Sequence, residues 1–72
     1  MDIKRIEQAI SDLKHLSEYG EIFAYQNESI EIAIEALERQ SKIDEAIKIL
    51  QTVDWVGSGA RARIQEAIEL LT

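Results

Sequence analysis

The chain has 72 residues, no cysteine, and fourteen acidic against eight basic residues, which gives a formal net charge of -6. This acidity opposes attraction to nucleic acid or anionic lipid, and no apolar run approaches the roughly 20 residues of a membrane-spanning helix. Without cysteine, neither a disulfide nor a thiolate metal site can stabilise so small a core. We therefore expect one helical domain over residues 1–72, located in the cytoplasm because a signal-peptide pattern is missing.

One apolar pattern, Ile-x-x-Ala-Ile-x-x-Leu, occurs four times. Because an α-helix turns by about 100° per residue, the four apolar positions share one face about 100° wide, which is typical of a helix that faces a core. The pattern predicts an all-α fold, a small bundle of three to four amphipathic helices completed by homo-oligomerisation. The sixteen residues are Ile6, Ala9, Ile10, Leu13, Ile30, Ala33, Ile34, Leu37, Ile43, Ala46, Ile47, Leu50, Ile64, Ala67, Ile68 and Leu71.

The first predicted helix runs from Asp2 to Tyr19, with Asp2 as its N-cap. Gly20 follows it and can adopt the left-handed conformation that ends many helices. The second helix is predicted to begin between Ile22 and Asn27, because the apolar residues there can add a turn before it. Two residues are suitable N-caps for it: Asn27 and Ser29.

The second and third copies of the pattern lie too close together for one straight helix in a monomer. Ile30 and Ile43 are 13 residues apart, which rotates a continuous helix by about 220° beyond whole turns. The two apolar faces would then point in nearly opposite directions. We expect a break, with Ser41 as N-cap of the third helix. A continuous helix over residues 28–53 is the alternative if a second subunit covers the opposite face.

Three aliphatic residues fall outside the repeated apolar face: Ile32, Ile49 and Leu70. They either fill wider parts of the bundle or stay individually exposed, as many aliphatic side chains do. Alternatively, they form a subunit interface, which would also compensate for the small core.

The segment 55–63, "WVGSGARAR", interrupts the helical pattern. Ser58 is placed to cap a last helix that begins at Gly59 or Ala60 and ends at Leu71. The free N–H groups at such a helix start, together with the helix dipole, attract anions. The alternative is that the glycines only permit a sharp turn.

Arg61 and Arg63 would add positive charge to this anion site. Arg63 is predicted to face the subunit boundary, whereas the structural alternative pairs it with Glu66 and pairs Arg61 with a carboxylate on another helix. Trp55 either plugs the open end of the bundle or stacks on a base, which requires an exposed indole. The candidate ligand-binding residues are Trp55, Gly57, Ser58, Gly59, Arg61, Arg63 and Tyr25.

The sequence does not predict an enzyme, a cofactor or a metal site. His15 is the only histidine, and we expect it at the surface or at its boundary. Asp12-x-x-His15 resembles half of a carboxylate-bridged metal site, but the two Glu-x-x-His pairs of four-helix di-iron proteins are missing. P-loop and Rossmann motifs are missing as well. Four glutamates form either a solvated face or an acidic protein-binding surface: Glu28, Glu31, Glu35 and Glu38.

Two segments resemble known groups of proteins. Residues 19–40, "YGEIFAYQNESIEIAIEALERQ", resemble a segment common in short uncharacterised proteins of phages and prophages of Gram-positive bacteria, where an "AIEALE" helix follows a capped turn. The cysteine-containing tail frequent in that group is missing here. Residues 54–68, "DWVGSGARARIQEAI", are similar in layout to the last helix of phage anti-CBASS sponge proteins, which are small helical oligomers that bind cyclic nucleotides.

Together these features predict a non-enzymatic phage-type accessory protein in the host-cell cytoplasm. As a homo-oligomer it would bind and sequester a small phosphorylated ligand, such as a host immune signalling nucleotide. Arg61, Arg63 and the backbone of 57–59 would hold phosphate, and Trp55 or Tyr25 would stack on a base. The alternative is an acidic interaction module that inhibits or adapts a host or phage protein. Neither hypothesis involves nucleic acid or a membrane.

Overall fold

The computed structural model describes residues 2–72, and the four predicted helices are present. Helix α1 spans Ile3–Glu18, α2 spans Asn27–Glu38, α3 spans Ile43–Thr52 and α4 spans Ser58–Leu71, with a 3₁₀ turn at Ala24–Gln26 before α2. Each helix packs against two others in a ring, so that α1 contacts α2 and α4, and α3 contacts the same two. The prediction of an all-α bundle is confirmed. No helix within 2–72 is long and apolar enough to cross a membrane.

The repeated apolar pattern lines the centre of this ring. None of its sixteen side chains is exposed. Seven of them have no measurable exposure: Ala9, Leu13, Ile30, Ala33, Leu37, Ala46 and Ala67. Because alanine has almost no side chain, neighbouring helices can approach closely at these positions. Five isoleucines of the pattern lie at the margin of the core and are partly buried: Ile10, Ile34, Ile43, Ile47 and Ile68.

Helix α1 begins and ends as its sequence predicts. The Asp2 carboxylate accepts a hydrogen bond from the Lys4 backbone N–H at 2.9 Å, which satisfies one of the free donors of the first turn. At the other end Gly20 has φ +64°, and the Glu21 N–H donates to the Leu16 carbonyl at 3.0 Å. This left-handed termination turns the chain away from the helix axis.

The helix breaks between α2 and α3, so the alternative of one continuous helix over residues 28–53 is wrong. Gln40 and Lys42 both have left-handed φ angles, 52° and 53°, and the Ser41 N–H donates to the Ala36 carbonyl at 3.1 Å. The prediction that Ser41 caps α3 is wrong. Lys42 is the N-cap and makes no side-chain cap bond, because this double turn, rather than a polar cap, brings the second apolar face back toward the core.

Two other predicted caps are also wrong. Asn27 is the first residue of α2 instead of its cap, and its amide oxygen accepts a bond from the Ser17 hydroxyl at 3.4 Å. Ser58 is the first residue of α4, which therefore begins before the predicted start at Gly59 or Ala60, and Gly57 occupies the N-cap position with φ +86°. A glycine tolerates this angle whereas a serine does not, and the boundary shifts accordingly.

The three aliphatic residues outside the repeated face have different environments. Ile49 and Leu70 are partly buried and pack against the core of the single chain, which supports the interpretation that they fill wider parts of the bundle. Ile32 is 50% exposed on α2. It is the one of the three that a second subunit could still cover.

We expect Leu37→Ala and Ile32→Ala to have very different effects, although both shorten an aliphatic side chain on α2. Leu37 is fully buried, so its truncation should lower the free energy of unfolding by about 2–5 kcal/mol. Ile32→Ala should change it by less than about 0.5 kcal/mol in dilute protein. Urea unfolding followed by circular dichroism measures both. Equal losses would contradict the assignment of the core.

Candidate functional site

Both loop connections at one end of the bundle lie side by side, and we call this end the loop end. It consists of residues 19–26, which join α1 to α2, and residues 53–57, which join α3 to α4. An isolated antiparallel bridge links Ile22 to Trp55. Ile22 and Val53 are 4% and 3% exposed and close the core at this end, so the two connections form one continuous surface.

Trp55 lies on the outside of the loop end, so the prediction that it plugs the bundle is wrong. Ile22 takes that place, and 43% of the Trp55 surface is exposed. The Arg61 guanidinium carbon lies 5.8 Å from the centroid of the Trp55 ring, in the range of a cation–π interaction. Arg61 forms no ion pair with any carboxylate of residues 2–72. An exposed indole beside a free arginine is the geometry that base stacking requires.

A groove between α3 and α4 begins at this Trp55–Arg61 pair and has a volume of about 260 Å³. Its floor is aliphatic, and two glutamine side chains lie at its rim, so it offers an apolar surface with amide groups beside it. The lining residues are Leu50, Gln51, Trp55, Arg61, Ile64, Gln65 and Ile68.

Tyr25 also lies at the loop end, but its hydroxyl is engaged. It donates a hydrogen bond to the Asp54 carboxylate at 2.7 Å, which joins the two connections through their side chains. Its ring stacks on Phe23 with 5.9 Å between centroids. Phe23, Tyr25 and Val56 are all exposed. The loop end is therefore the part of the described surface where aromatic side chains concentrate.

The start of α4 is open on one side and close to a carboxylate on the other. Gly57, Ser58 and Gly59 are exposed, and no side chain caps the helix. A Cβ added to Gly59 would lie 3.7 Å from a Glu21 carboxylate oxygen, an ordinary contact. A carboxylate near a helix N-terminus is favourable, but it opposes a second anion there. The Arg61 side of the helix is the better place for a ligand anion.

Arg63 belongs to a different part of the molecule. Its Nη1 lies 3.3 Å from Asp12 Oδ1, and its Nε lies 3.6 Å from Glu21 Oε1, so the guanidinium packs against α1. The predicted pairing of Arg63 with Glu66 is wrong, because Arg63 forms its ion pairs with Asp12 and Glu21 instead. That Arg63 faces a subunit boundary stays a prediction. The structure therefore separates Arg63 from the Trp55–Arg61 pair.

Asp12 is the partner that sequence reasoning missed. It is only 1% exposed in α1 and also accepts a hydrogen bond from the Gln8 amide at 3.3 Å. Nearby, His15 Nδ1 lies 2.6 Å from Glu21 Oε1, and His15 is partly exposed as predicted. The signal was available, because Asp12 lies three residues after Ala9 and thus borders the apolar face. Across residues 2–72 no group of acidic and histidine side chains is arranged to hold a metal ion.

The glutamates of α2 form an exposed face, which agrees with both a solvated face and an acidic protein-binding surface. Glu35 pairs with Arg39 at 2.8 Å within the helix, and Glu38 lies 3.9 Å from Lys14 of α1. Exposed pairs of this kind contribute little stability. Four carboxylates define this face: Glu28, Glu31, Glu35 and Glu38.

No family model, curated protein or solved structure matches this chain. Its possible activity is therefore inferred from its own residues.

The two arginines of α4 should differ sharply in their effect on stability. Arg63→Ala leaves the buried Asp12 without its cation, and we expect a loss of about 3 kcal/mol, the lower end for buried pairs because Arg63 is 31% exposed. Arg61→Ala removes an exposed side chain and should cost less than about 1 kcal/mol. Thermal and urea unfolding of both variants at neutral pH measure this difference. Equal effects would contradict the separate roles.

Proposed function

We propose that the chain is a non-enzymatic accessory protein of the phage type whose loop end binds and sequesters a small phosphorylated ligand that carries an aromatic ring. A host immune signalling nucleotide is the kind of ligand that the resemblance of residues 54–68 suggests, with the host-cell cytoplasm as the location. The observation that supports the proposal is the Trp55–Arg61 pair, a free guanidinium beside a half-exposed indole.

Each half of this pair matches one half of such a ligand. Arg61 can donate two parallel hydrogen bonds to a phosphate, and a charge-assisted bond of this kind contributes about 1.5–3 kcal/mol. The exposed Trp55 face can stack on a planar ring, which contributes about 1–3 kcal/mol per base. The amide groups of Gln51 and Gln65 lie at the rim of the adjoining groove, where they can bond to polar edges of that ring.

The backbone at the start of α4 supplies further donors. Gly57, Ser58 and Gly59 would contribute exposed N–H groups on the side of Arg61, away from the Glu21 carboxylate. Tyr25 would contact the ligand only after its hydroxyl leaves Asp54, so we place it at the edge of the site. Arg63 supports the site indirectly, since it fixes α4 against α1.

Homo-oligomerisation forms part of the proposal. The Trp55–Arg61 pair is open to solvent on its outer side, and a second copy placed there would enclose the ligand and exclude water from the phosphate contact. Enclosure strengthens each electrostatic contact because the local dielectric constant falls. Ile32 and the exposed residues of the loop end are the apolar surfaces that remain for such a contact.

Arg61→Ala should weaken phosphate-ligand binding by about tenfold or more, because it removes a charged contact worth about 1.5–3 kcal/mol. Trp55 is the only tryptophan, so its fluorescence reports ring stacking directly in titrations with cyclic dinucleotides, mononucleotides and nucleotide sugars. Arg39→Ala makes the same charge change at the opposite end of the bundle and serves as the control. Absence of tight binding across this panel would remove the proposal.

A protein partner is the second candidate, and the exposed aromatic residues of the loop end favour it. Tryptophan, tyrosine and arginine dominate the binding energy of many protein interfaces, and Phe23, Tyr25, Trp55 and Arg61 all lie at this end. The acidic face of α2 would add attraction to a basic partner.

Denaturation of the purified protein distinguishes the two candidates. The interaction module is supported if a protein co-purifies in stoichiometric amount with the wild type but not with Phe23→Ala. In that case denaturation should release no small molecule. A phosphorylated compound in the released fraction, identified by mass spectrometry, supports the sequestration role. Light scattering of the same sample measures the oligomer.

A further inference from the structure

The contact between α1 and α4 contains a cluster of charged side chains with more carboxylates than cations. Asp12 of α1 and Glu21 of the connection contact the guanidinium of Arg63. Glu66 of α4 adds a third carboxyl group, which lines the same groove as Arg63 without forming an ion pair with it. His15 contacts Glu21 and can add a second positive charge only when it is protonated. With all carboxyl groups ionised and His15 neutral, the cluster carries two unbalanced negative charges.

The excess negative charge is least compensated at the carboxylate of Asp12. Arg63 Nη1 contacts Oδ1 of Asp12, and the Gln8 amide donates to the same oxygen. The other oxygen, Oδ2, is buried and has no hydrogen-bond partner within residues 2–72. A buried acceptor without a donor is costly. Glu66 follows Arg63 by three residues, so it lies on the same side of α4, and the two residues line one groove. An ionised Glu66 there has no proton to donate to Asp12.

We propose that Asp12 and Glu66 form a proton-binding site that fastens α4 to α1. When Glu66 is protonated, its O–H donates to the buried carboxylate of Asp12, which otherwise has too few donors. When the proton leaves, two carboxylates face each other and the contact between the helices is weakened. The proton is thus the ligand of this site, and it binds between the first and last helices.

The electrostatics of the cluster agree with this assignment. The hydrogen bond to Asp12 and then the negative charge of Asp12 raise the pKa of Glu66 above its ordinary 4.5, with desolvation adding to the effect, while Arg63 opposes it. A raised pKa in the folded state means that the folded chain holds the proton more tightly than the unfolded chain. The resulting stabilisation is complete below pH 4.5 and is lost as the pH rises through the raised value.

Solvent can deliver this proton without unfolding of the bundle. An open groove of about 290 Å³ adjoins Glu66 and is lined by Gly59, Ala62, Arg63 and Glu66. The same cluster also reaches the loop end, because Glu21, which contacts Arg63 and His15 through its side chain, accepts the Val56 N–H at 2.8 Å through its carbonyl. Loss of the proton should therefore also loosen the residues next to Trp55.

Glu66→Gln tests the site, because glutamine can donate to Asp12 at every pH. Its free energy of unfolding should match the wild type near pH 4.5 and exceed it increasingly as the pH rises toward neutrality. Glu69→Gln changes the same charge at an exposed position of α4 and is the control. Urea unfolding at half-unit pH steps gives the three curves. If the Glu66→Gln and Glu69→Gln curves run parallel to each other, the proton site does not exist.

NMR of the unmodified protein tests the proton site a second time. Carbon-13 NMR titration of the side-chain carboxyl of Glu66 should show a midpoint above 4.5. The protection factor of the Val56 amide, which corrects for the intrinsic rise of exchange with pH, should fall above this midpoint. A midpoint at or below 4.5 would overturn the proposal. Neither experiment uses a phosphorylated ligand, so the proton site stands or fails independently of the proposed function.

Discussion

Four helices of ten to sixteen residues must bury four equivalent apolar faces around one axis, and the rest of the structure depends on this constraint. Alanine in every copy of the pattern permits the close packing, since Ala9, Ala33, Ala46 and Ala67 are fully buried. A ring of helices closes only if the chain reverses direction within a few residues. The left-handed residues between α1 and α2 and between α2 and α3, and Gly57 before α4, achieve these reversals. Gln40 and Lys42 have a left-handed backbone φ angle that glycine adopts more easily. Each costs about 1 kcal/mol, which burial of the core must offset.

The same constraint determines what each arginine of α4 can contact. Arg61 and Arg63 are two residues apart, so they point about 200° apart around the helix axis. Once Ile64 and Ala67 face the core, one arginine must lie beside α1 and the other must lie on the side of Trp55. A single phosphate site that uses both guanidinium groups of one chain is therefore incompatible with the helix. The candidate ligand site is smaller than the sequence predicts, and Arg61 supplies its only guanidinium.

The periodicity of the sequence predicted the helices, the faces that pack and the break after α2, because all of these follow from local geometry and the burial of apolar area. It predicted caps at Asn27, Ser41 and Ser58 that the structure does not contain. Side-chain preference does not reveal the 3₁₀ turn before α2 or the positive φ angles of Lys42 and Gly57. Asp12 escaped prediction for another reason. A carboxylate beside an apolar face is ordinary until its partner is known, and Arg63 lies 51 residues later in the chain. Trp55 was misplaced because Ile22, from a different connection, fills the end of the core.

The buried Asp12–Arg63 pair determines which helices become neighbours more than it determines how stable the bundle is. Four helices with nearly identical apolar faces could pack in several arrangements of similar hydrophobic energy, since the repeated pattern does not distinguish one neighbour from another. Desolvation offsets much of the attraction between two buried charges, so the pair adds little net stability. An arrangement that buried Asp12 without Arg63 would instead leave an uncompensated charge, at a cost of about 3–5 kcal/mol. In a domain whose total stability is on the order of 5 kcal/mol, that penalty is enough to exclude the alternatives. The polar contact therefore selects α4 as the neighbour of α1, and the apolar pattern provides the energy that holds the selected arrangement together.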